Sequence, residues 1–385
     1  MRHFILGLLL VTPALHAAGL DADRQLANSL LAISQSRVPE ALTSLDQLIQ
    51  QHPNFRLAQL IKGDMLLARA QPLKTLGNTG NARNPDLEQL RDEARQRVRA
   101  LTDDSQVNDN IPAYLLNLDD SYRHALVVDA SRSRLYVYEN RAGLPVRVAD
   151  FYVTIGKAGA GKQKEGDNRT PIGIYTISGF KPSSELGDFY GGGAFTLSYP
   201  NEWDTRQGRD GHGIWIHGSP SNNYSRTPRA SEGCVVLAND DLTRLGQYVQ
   251  TGKTPVIIAQ QVEWLDHEAV DARRNSLATA IDQWRQDWES RDTTRLLRHY
   301  SASFRNESQN LQDFGANKQK VNAAKSWIKV GLSKVSLMLY PERTDFALVS
   351  FVQNYQSSNL SDQTAKRQFW SRENGRWKIV HETSL

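Results

Sequence analysis

The sequence predicts an α+β multidomain fold: a helical N-terminal module, a mainly-β central domain that carries the chemistry, and an α+β C-terminal domain. Three observations predict it. Apolar residues recur at helical spacing before residue 104; they alternate with period two between about residues 122 and 262; one long helical stripe and four alternating runs then follow. A chain of 385 residues accommodates two or three such units.

Residues 1–18 read as a secretory signal peptide. Arg2 and His3 make a short basic opening, Phe4 to Leu15 is apolar, and Ala17 and Ala18 supply small residues for cleavage. An uncleaved N-terminal anchor has the same pattern, but the run is short for a bilayer and no later stretch is long enough. The mature chain is expected to be exported, periplasmic, and without a transmembrane segment. Residues 19–110 read as helical. In "EALTSLDQLIQQHPNFRLAQLIKGDMLLARAQ", Ala41, Leu45 and Leu48, then Ala58, Ile61 and Met65, fall at helical spacing. Paired small-residue helices joined around Pro53 resemble a tetratricopeptide repeat. One repeat and a fragment are too few for a solenoid, so this piece is expected to dock on its neighbour. Ordinary helix packing gives the same stripe. "LGNTGNARNP" is a loop, after which Asn84 caps and Pro85 opens a helix to about Leu101. "TDDSQVNDNIP" reads as a polar linker.

The central domain, residues 120–262, holds Cys234, the single cysteine of the chain. Oxidising compartments favour disulfides, and one thiol cannot form one within its own chain. A small buried apolar residue is one reading of it; its neighbours supply another. "GIWIH" alternates, with Ile214 and Ile216 on one face and Trp215 and His217 on the other, and reads as a strand ending at Gly218. A loop rich in Ser, Pro, Asn and Arg follows to Ala230; Ser231-Glu232-Gly233-Cys234 then turns into Val235-Val236-Leu237, and a helix is entered through Asn239. Glycine beside the thiol permits an unusual backbone angle and close approach of a substrate. A thiol needs a base or a positive field to act near neutral pH, and His217 brackets the same loop. Cys234 and His217 are therefore the candidate nucleophile and base of an acyl transfer. Gly233, Ser231 and Gly218 are candidate supports, with main-chain N–H groups around Gly233 and Cys234 placed to hold an oxyanion.

The pattern His217-Gly218, loop, Ser231-x-Gly233-Cys234 resembles the signature of L,D-transpeptidases with a YkuD-type catalytic domain. "HALVVDASRSRLYVYENRAGLPVRVADFYVTIGKAG" is similar to that family's opening strands, and Thr170, Pro171, Gly173 and Tyr175 to its Thr-Pro-x-Gly-x-Tyr segment. The chain departs from the commoner pattern at Glu232, where many members have histidine, and at Val236, where many have arginine. The resemblance implies a substrate: a peptidoglycan tetrapeptide stem, cut between diaminopimelate and the terminal D-alanine. The thioester would pass to another diaminopimelate amine or to a lysine of an envelope protein, in cell-wall remodelling. No metal or organic cofactor is implied. Two other readings stay open. One is a hydrolase that gives the same thioester to water, cleaving crosslinks or wall-anchored lipoprotein. The other is an envelope scaffold.

Other features of the stretch are weaker. "GKAGAGK" from Gly156 to Lys162 imitates a phosphate loop, but Gln163 stands where Ser or Thr is required and Gly166, Asp167 and Pro171 oppose the following helix; it reads as a flexible loop near the site. Gly191 to Gly193, preceded by Tyr190, is a mobile substrate rim or a plain surface loop, and Glu232 is a second rim candidate. Asp210, His212 and His217 lack a further ligand at metal spacing. The formal net charge of +4, one unit of it from Arg2 in the leader, is dispersed and gives no argument for nucleic acid.

Residues 270–385 begin with a helix whose face is Leu277, Ile281, Trp284 and Trp288. Four strands follow in "KVSLMLY", "DFALVSFVQNY", "AKRQFWSR" and "GRWKIVHETS", turning near Pro341 and at Asn374-Gly375. Helix then meander resembles the cone-shaped nuclear-transport-factor-2-like or SnoaL-like α+β fold. The resemblance implies a binding or positioning domain, expected to fold by itself. His381 and Glu382 lie near the wall of the cone, but alternation points one of them outward.

Overall fold

The computed structural model describes residues 22–77, 84–102 and 110–385. The expected signal peptide and most of the expected linker lie outside them. Among the described residues no helix is long and apolar enough to cross a membrane.

The N-terminal module comprises α1 (Ala22–Ser34), α2 (Val38–Gln51), α3 (Arg56–Leu67) and α4 (Pro85–Thr102). Leu45, Leu48, Ala58 and Ile61 are buried, as their spacing predicts, while Met65 is only partly covered. Asn84 Oδ1 accepts the Asp86 N–H at 3.0 Å, and Pro85 opens α4 where its missing donor costs no helical bond. The module does not close its own core. Tyr224 and Ala238 of the central domain complete it, which is the expected docking.

Among the described residues the central domain is built on an eight-stranded sheet. Its order is Val235–Val236, Trp215–His217, Gly193–Leu197, Gly173–Pro182, Pro255–Ala259, His124–Asp129, Arg134–Arg141 and Leu144–Tyr152. The two parallel pairings join Val235–Val236 to Trp215–His217 and Pro255–Ala259 to His124–Asp129. The strand "HALVVD" is apolar from Ala125 to Val128 because both of its faces are covered there. Leu126 and Val128 enter the core on one side, and Ala125 and Val127 enter a second core on the other.

That second core is shared with the C-terminal domain. The helix His267–Glu289 is capped by Asp266, whose side chain accepts the Ala269 N–H at 2.7 Å. It buries Trp284 and Trp288 against the strands Ile328–Leu339, Phe346–Ser357, Leu360–Glu373 and Arg376–Ser384. Asn374 and Gly375, both at positive φ, form the last hairpin turn. The sequence reading missed both edges of this sheet, Tyr300–Arg305 and Leu115–Asn117. The second edge comes from the chain before the central domain, and Asn117 Nδ2 donates to Val335 O at 2.7 Å. Trp203 of the central domain lies 4.3 Å from the Phe346 ring, and Asn201 Nδ2 donates to the Tyr340 hydroxyl at 2.9 Å. The C-terminal domain thus shares an edge strand and part of its core with chain outside residues 270–385. His381 and Glu382 do point apart. His381 Nδ1 meets Arg305 O at 2.7 Å, and buried Glu382 pairs with Lys366 at 2.5 Å.

Candidate active site

Cys234 and His217 come from adjacent parallel strands, with Val235 opposite Ile216 and Val236 opposite His217. Ile214, Ile216 and Val235 enter the sheet core. Alternation therefore places Cys234, Val236, Trp215 and His217 together on the other face.

The turn before the thiol is built by Ser231. Its hydroxyl donates to Cys234 O at 2.6 Å and accepts the Gly233 N–H at 3.2 Å. Gly233 sits at φ +130°, and a Cβ there would lie 2.8 Å from Arg169 O, so glycine is required on two grounds. The Gly233 N–H, one of the candidate oxyanion donors, is engaged by that hydroxyl. Ser231 supports the turn.

His217 is 1% exposed. Its Nδ1 lies 2.7 Å from Gly218 O, which assigns the ring proton to Nδ1. Nε2 is left as an acceptor, buried and without a hydrogen-bond partner among the described residues. Burial pushes the imidazole pKa down to about 4; the Gly218 carbonyl opposes this and the Arg226 charge adds to it. The Cys234 thiol is moved up, mainly by burial; the Trp215 amide and the Arg226 charge oppose the shift. Sγ lies 3.4 Å from Gly213 O.

Gly218 donates its N–H to Tyr190 O at 3.1 Å, and a Cβ on it would collide with Asn239. Asn239 opens the helix Asn239–Gly246 without capping it; its side chain accepts the Gly192 N–H and donates to Ser219 O, each at 2.9 Å. Gly191 to Gly193, read as a mobile rim or a plain surface loop, is thus held at Gly192 by Asn239. The Tyr190 ring packs 5.1 Å from both Trp215 and His217. Glu232 is exposed, 3.7 Å from Lys157. The loop after Gly156 is tied together by Asp167, which accepts from buried Lys162 Nζ at 3.0 Å and from the Gln163 and Lys164 main-chain amides. His212 is exposed, with Glu165 at 3.7 Å.

One residue at the site was not found from sequence. The Arg226 guanidinium lies 4.4 Å from the Phe189 ring centroid and donates to Phe189 O at 3.2 Å. Its charge reaches Cys234 and Glu232. Nothing in "SRTPRAS" separates it from Arg229. The loop that carries it is held by the N-terminal module: Tyr224 stacks 4.5 Å from His52 and Phe55, Ser225 donates to Glu93 at 2.7 Å, and Thr227 donates to Gln89 at 3.0 Å. A cleft of about 300 Å³ lies along this seam. A larger concavity of about 1150 Å³ is lined by C-terminal residues alone, among them Ser290 and Asn310, and is not part of the site.

A strand-borne histidine, a loop, and Ser-x-Gly-Cys at the start of the adjacent strand make up the site, and residues 123–258 match the L,D-transpeptidase catalytic domain, YkuD. The chain carries an L,D-transpeptidase catalytic domain. Residues 276–383 match the Cds6 C-terminal NTF2-like domain, so the transpeptidase domain is followed by an NTF2-like one. No curated protein matches the chain in sequence. Two solved structures are similar to nearly three quarters of the chain. Bd1075 of Bdellovibrio bacteriovorus is 29% identical with a TM-score of 0.65, over 72% of this chain and 98% of that one. The helical cell shape determining protein Pgp2 of Campylobacter jejuni is 25% identical with a TM-score of 0.59, over 72% of this chain and 95% of that one. Neither family match covers the N-terminal helices, so the tetratricopeptide resemblance gains no support there.

Proposed function

We propose that the protein is an exported, periplasmic peptidoglycan L,D-transpeptidase that works through a thioester on Cys234. His217 Nε2 takes the thiol proton as Sγ attacks the carbonyl joining diaminopimelate to the terminal D-alanine of a stem peptide. The tetrahedral intermediate collapses, the amine of D-alanine leaves with that proton, and a thioester remains. An acceptor amine, from a second stem or from an envelope protein, attacks the thioester. Its proton passes to Nε2 and on to the departing thiolate. The route uses protein groups alone. The observation that carries the reading is the unpartnered, buried Nε2 of a neutral histidine on the same face as the sole cysteine.

A part in cell shape is supported by the likeness to Pgp2, which extends over nearly all of that protein. Hydrolysis is the second reading: it uses the same thioester and the same two residues, with water in place of the acceptor amine. A scaffold role leaves both Cys234 and His217 without a purpose. The test supplies tetrapeptide muropeptides together with a labelled D-amino acid. Label in the product, or new crosslinked dimers, supports transfer. Shortened or uncrosslinked muropeptides without label replace it with hydrolysis.

A further inference from the structure

We propose that Arg226 is the specificity-determining residue of the site and binds a carboxylate of the stem peptide beside the scissile bond. This rests on the stem-peptide reading above.

The sequence departs from the commoner pattern at Val236, where an arginine could hold an anionic substrate, and the fold anchors the backbone of a different cation close by. Val236 exchanges main-chain hydrogen bonds with Thr154, 2.9 Å in each direction. The Thr154 hydroxyl donates to Arg226 O at 2.9 Å and the Tyr152 hydroxyl to the same oxygen at 3.1 Å. The Arg226 backbone is therefore clamped one residue away from Val236, while its side chain extends along Phe189 toward the cleft, which it lines with Gln89 and Asn222.

The guanidinium has unused capacity. It presents five N–H donors in a planar fork. Among the described residues one protein acceptor, Phe189 O, meets it, and no carboxylate pairs with it. Burial already disfavours its charged form. A half-desolvated, unpaired fork whose charge reaches the nucleophile suits a bidentate carboxylate from the substrate. The N-terminal helices contribute through this loop: Glu93 and Arg97 hold Ser225, and Gln89 holds Thr227, on either side of Arg226. They position the residue without touching the reacting atoms.

A stem peptide offers two carboxylates near the bond to be cut: that of the terminal D-alanine and the free one of diaminopimelate. Three substrates separate them: the tetrapeptide muropeptide, the same with its terminal carboxyl amidated, and the same with the diaminopimelate carboxyl amidated. kcat/KM is measured on each for the wild type, Arg226→Lys, Arg226→Gln and Arg226→Ala. In the wild type, amidating the carboxylate that Arg226 binds should lower kcat/KM about 10–100-fold. In Arg226→Gln and Arg226→Ala that ratio should collapse toward one, with Arg226→Lys between, and the arm that collapses identifies the carboxylate. A ratio between substrates is unaffected by partial misfolding, or by the change in Cys234 reactivity that follows loss of a nearby charge. A wild type that does not discriminate, or variants that keep the full discrimination, overturn the proposal. If the wild type forms no acyl-Cys234 by intact mass from any of the three, the stem-peptide reading itself falls, and this inference with it.

Discussion

Alkylation of Cys234 by iodoacetamide should accelerate about tenfold per pH unit through neutrality and beyond pH 9, without a plateau. The structure sets this expectation on both partners. Burial raises the thiol above its ordinary value, so the thiol is the resting form at pH 7. Burial also holds His217 at about 4, so at pH 7 the imidazolium fraction is about 0.1%. The resting pair is thus a thiol and a neutral imidazole, and the proton moves only as the carbonyl is attacked. The acid limb of kcat/KM should fall near pH 4, not near the ordinary histidine value of 6.5. Stability follows the same sign. The folded pKa is depressed below the unfolded one, so the unfolded state takes up the proton first. Stability is lost as pH falls from 6.5 toward 4, on the order of 3 kcal/mol if nothing else titrates. The assay is the second-order alkylation rate across pH together with the ultraviolet absorbance of thiolate, on the wild type and on His217→Gln. A rate plateau from about pH 5 to about pH 8, with thiolate absorbance that disappears in His217→Gln, would reveal a preformed ion pair and refute the reasoning.

Further outcomes follow from the packing. Gly233→Ala should abolish turnover in a chain that remains folded, because the new Cβ meets Arg169 O at 2.8 Å at a φ of +130°; circular dichroism and product formation check both halves. Trp203→Ala should cost about 3–5 kcal/mol in urea denaturation, since its ring packs on Phe346 and Phe369 across the domain seam. A fragment of residues 271–385 should not unfold cooperatively, whereas one of residues 110–385 should, because the first lacks the edge strand Leu115–Asn117. Asp23→Asn should destabilise the chain by about 3–5 kcal/mol in the same denaturation assay, by unpairing Arg97 and Arg134 in a buried network. Burial raises the Asp23 pKa, but Arg134 and Arg97 override it and hold it at about 2. The Asp23 contribution should therefore be complete above about pH 4 and be lost as pH falls toward 2, read by melting temperature.

The parts of the molecule that were legible in the sequence were those encoded locally. The helices around Leu45 and Ile61, the Asn84-Pro85 start, the Asn374-Gly375 turn and the Ser231–Cys234 turn all follow from spacing or from one residue's backbone preference. What stayed hidden was set by contacts far apart in sequence. Leu115–Asn117 is too short to carry a strand pattern and becomes one by pairing with residues some 220 positions later. Gly191 to Gly193 reads as mobile because nothing nearby announces that the Asn239 side chain pins it. Arg226 is an ordinary loop arginine until Thr154, Phe189 and the N-terminal helices fix where it sits. The bond from the Gly233 N–H to the Ser231 hydroxyl was not legible either, because the resemblance alone does not specify that rotamer.

The central claim is that Cys234 carries the acyl group of a stem peptide and His217 moves its proton. It is tested most directly by intact-protein mass measurement after brief incubation with purified tetrapeptide muropeptide and an acid quench. The account predicts an adduct on the wild type equal to the muropeptide less its terminal D-alanine, mapped to Cys234. The adduct should be absent in Cys234→Ala and strongly reduced in His217→Gln. A wild type that releases no D-alanine and gains no mass, or an adduct that persists in Cys234→Ala, contradicts it.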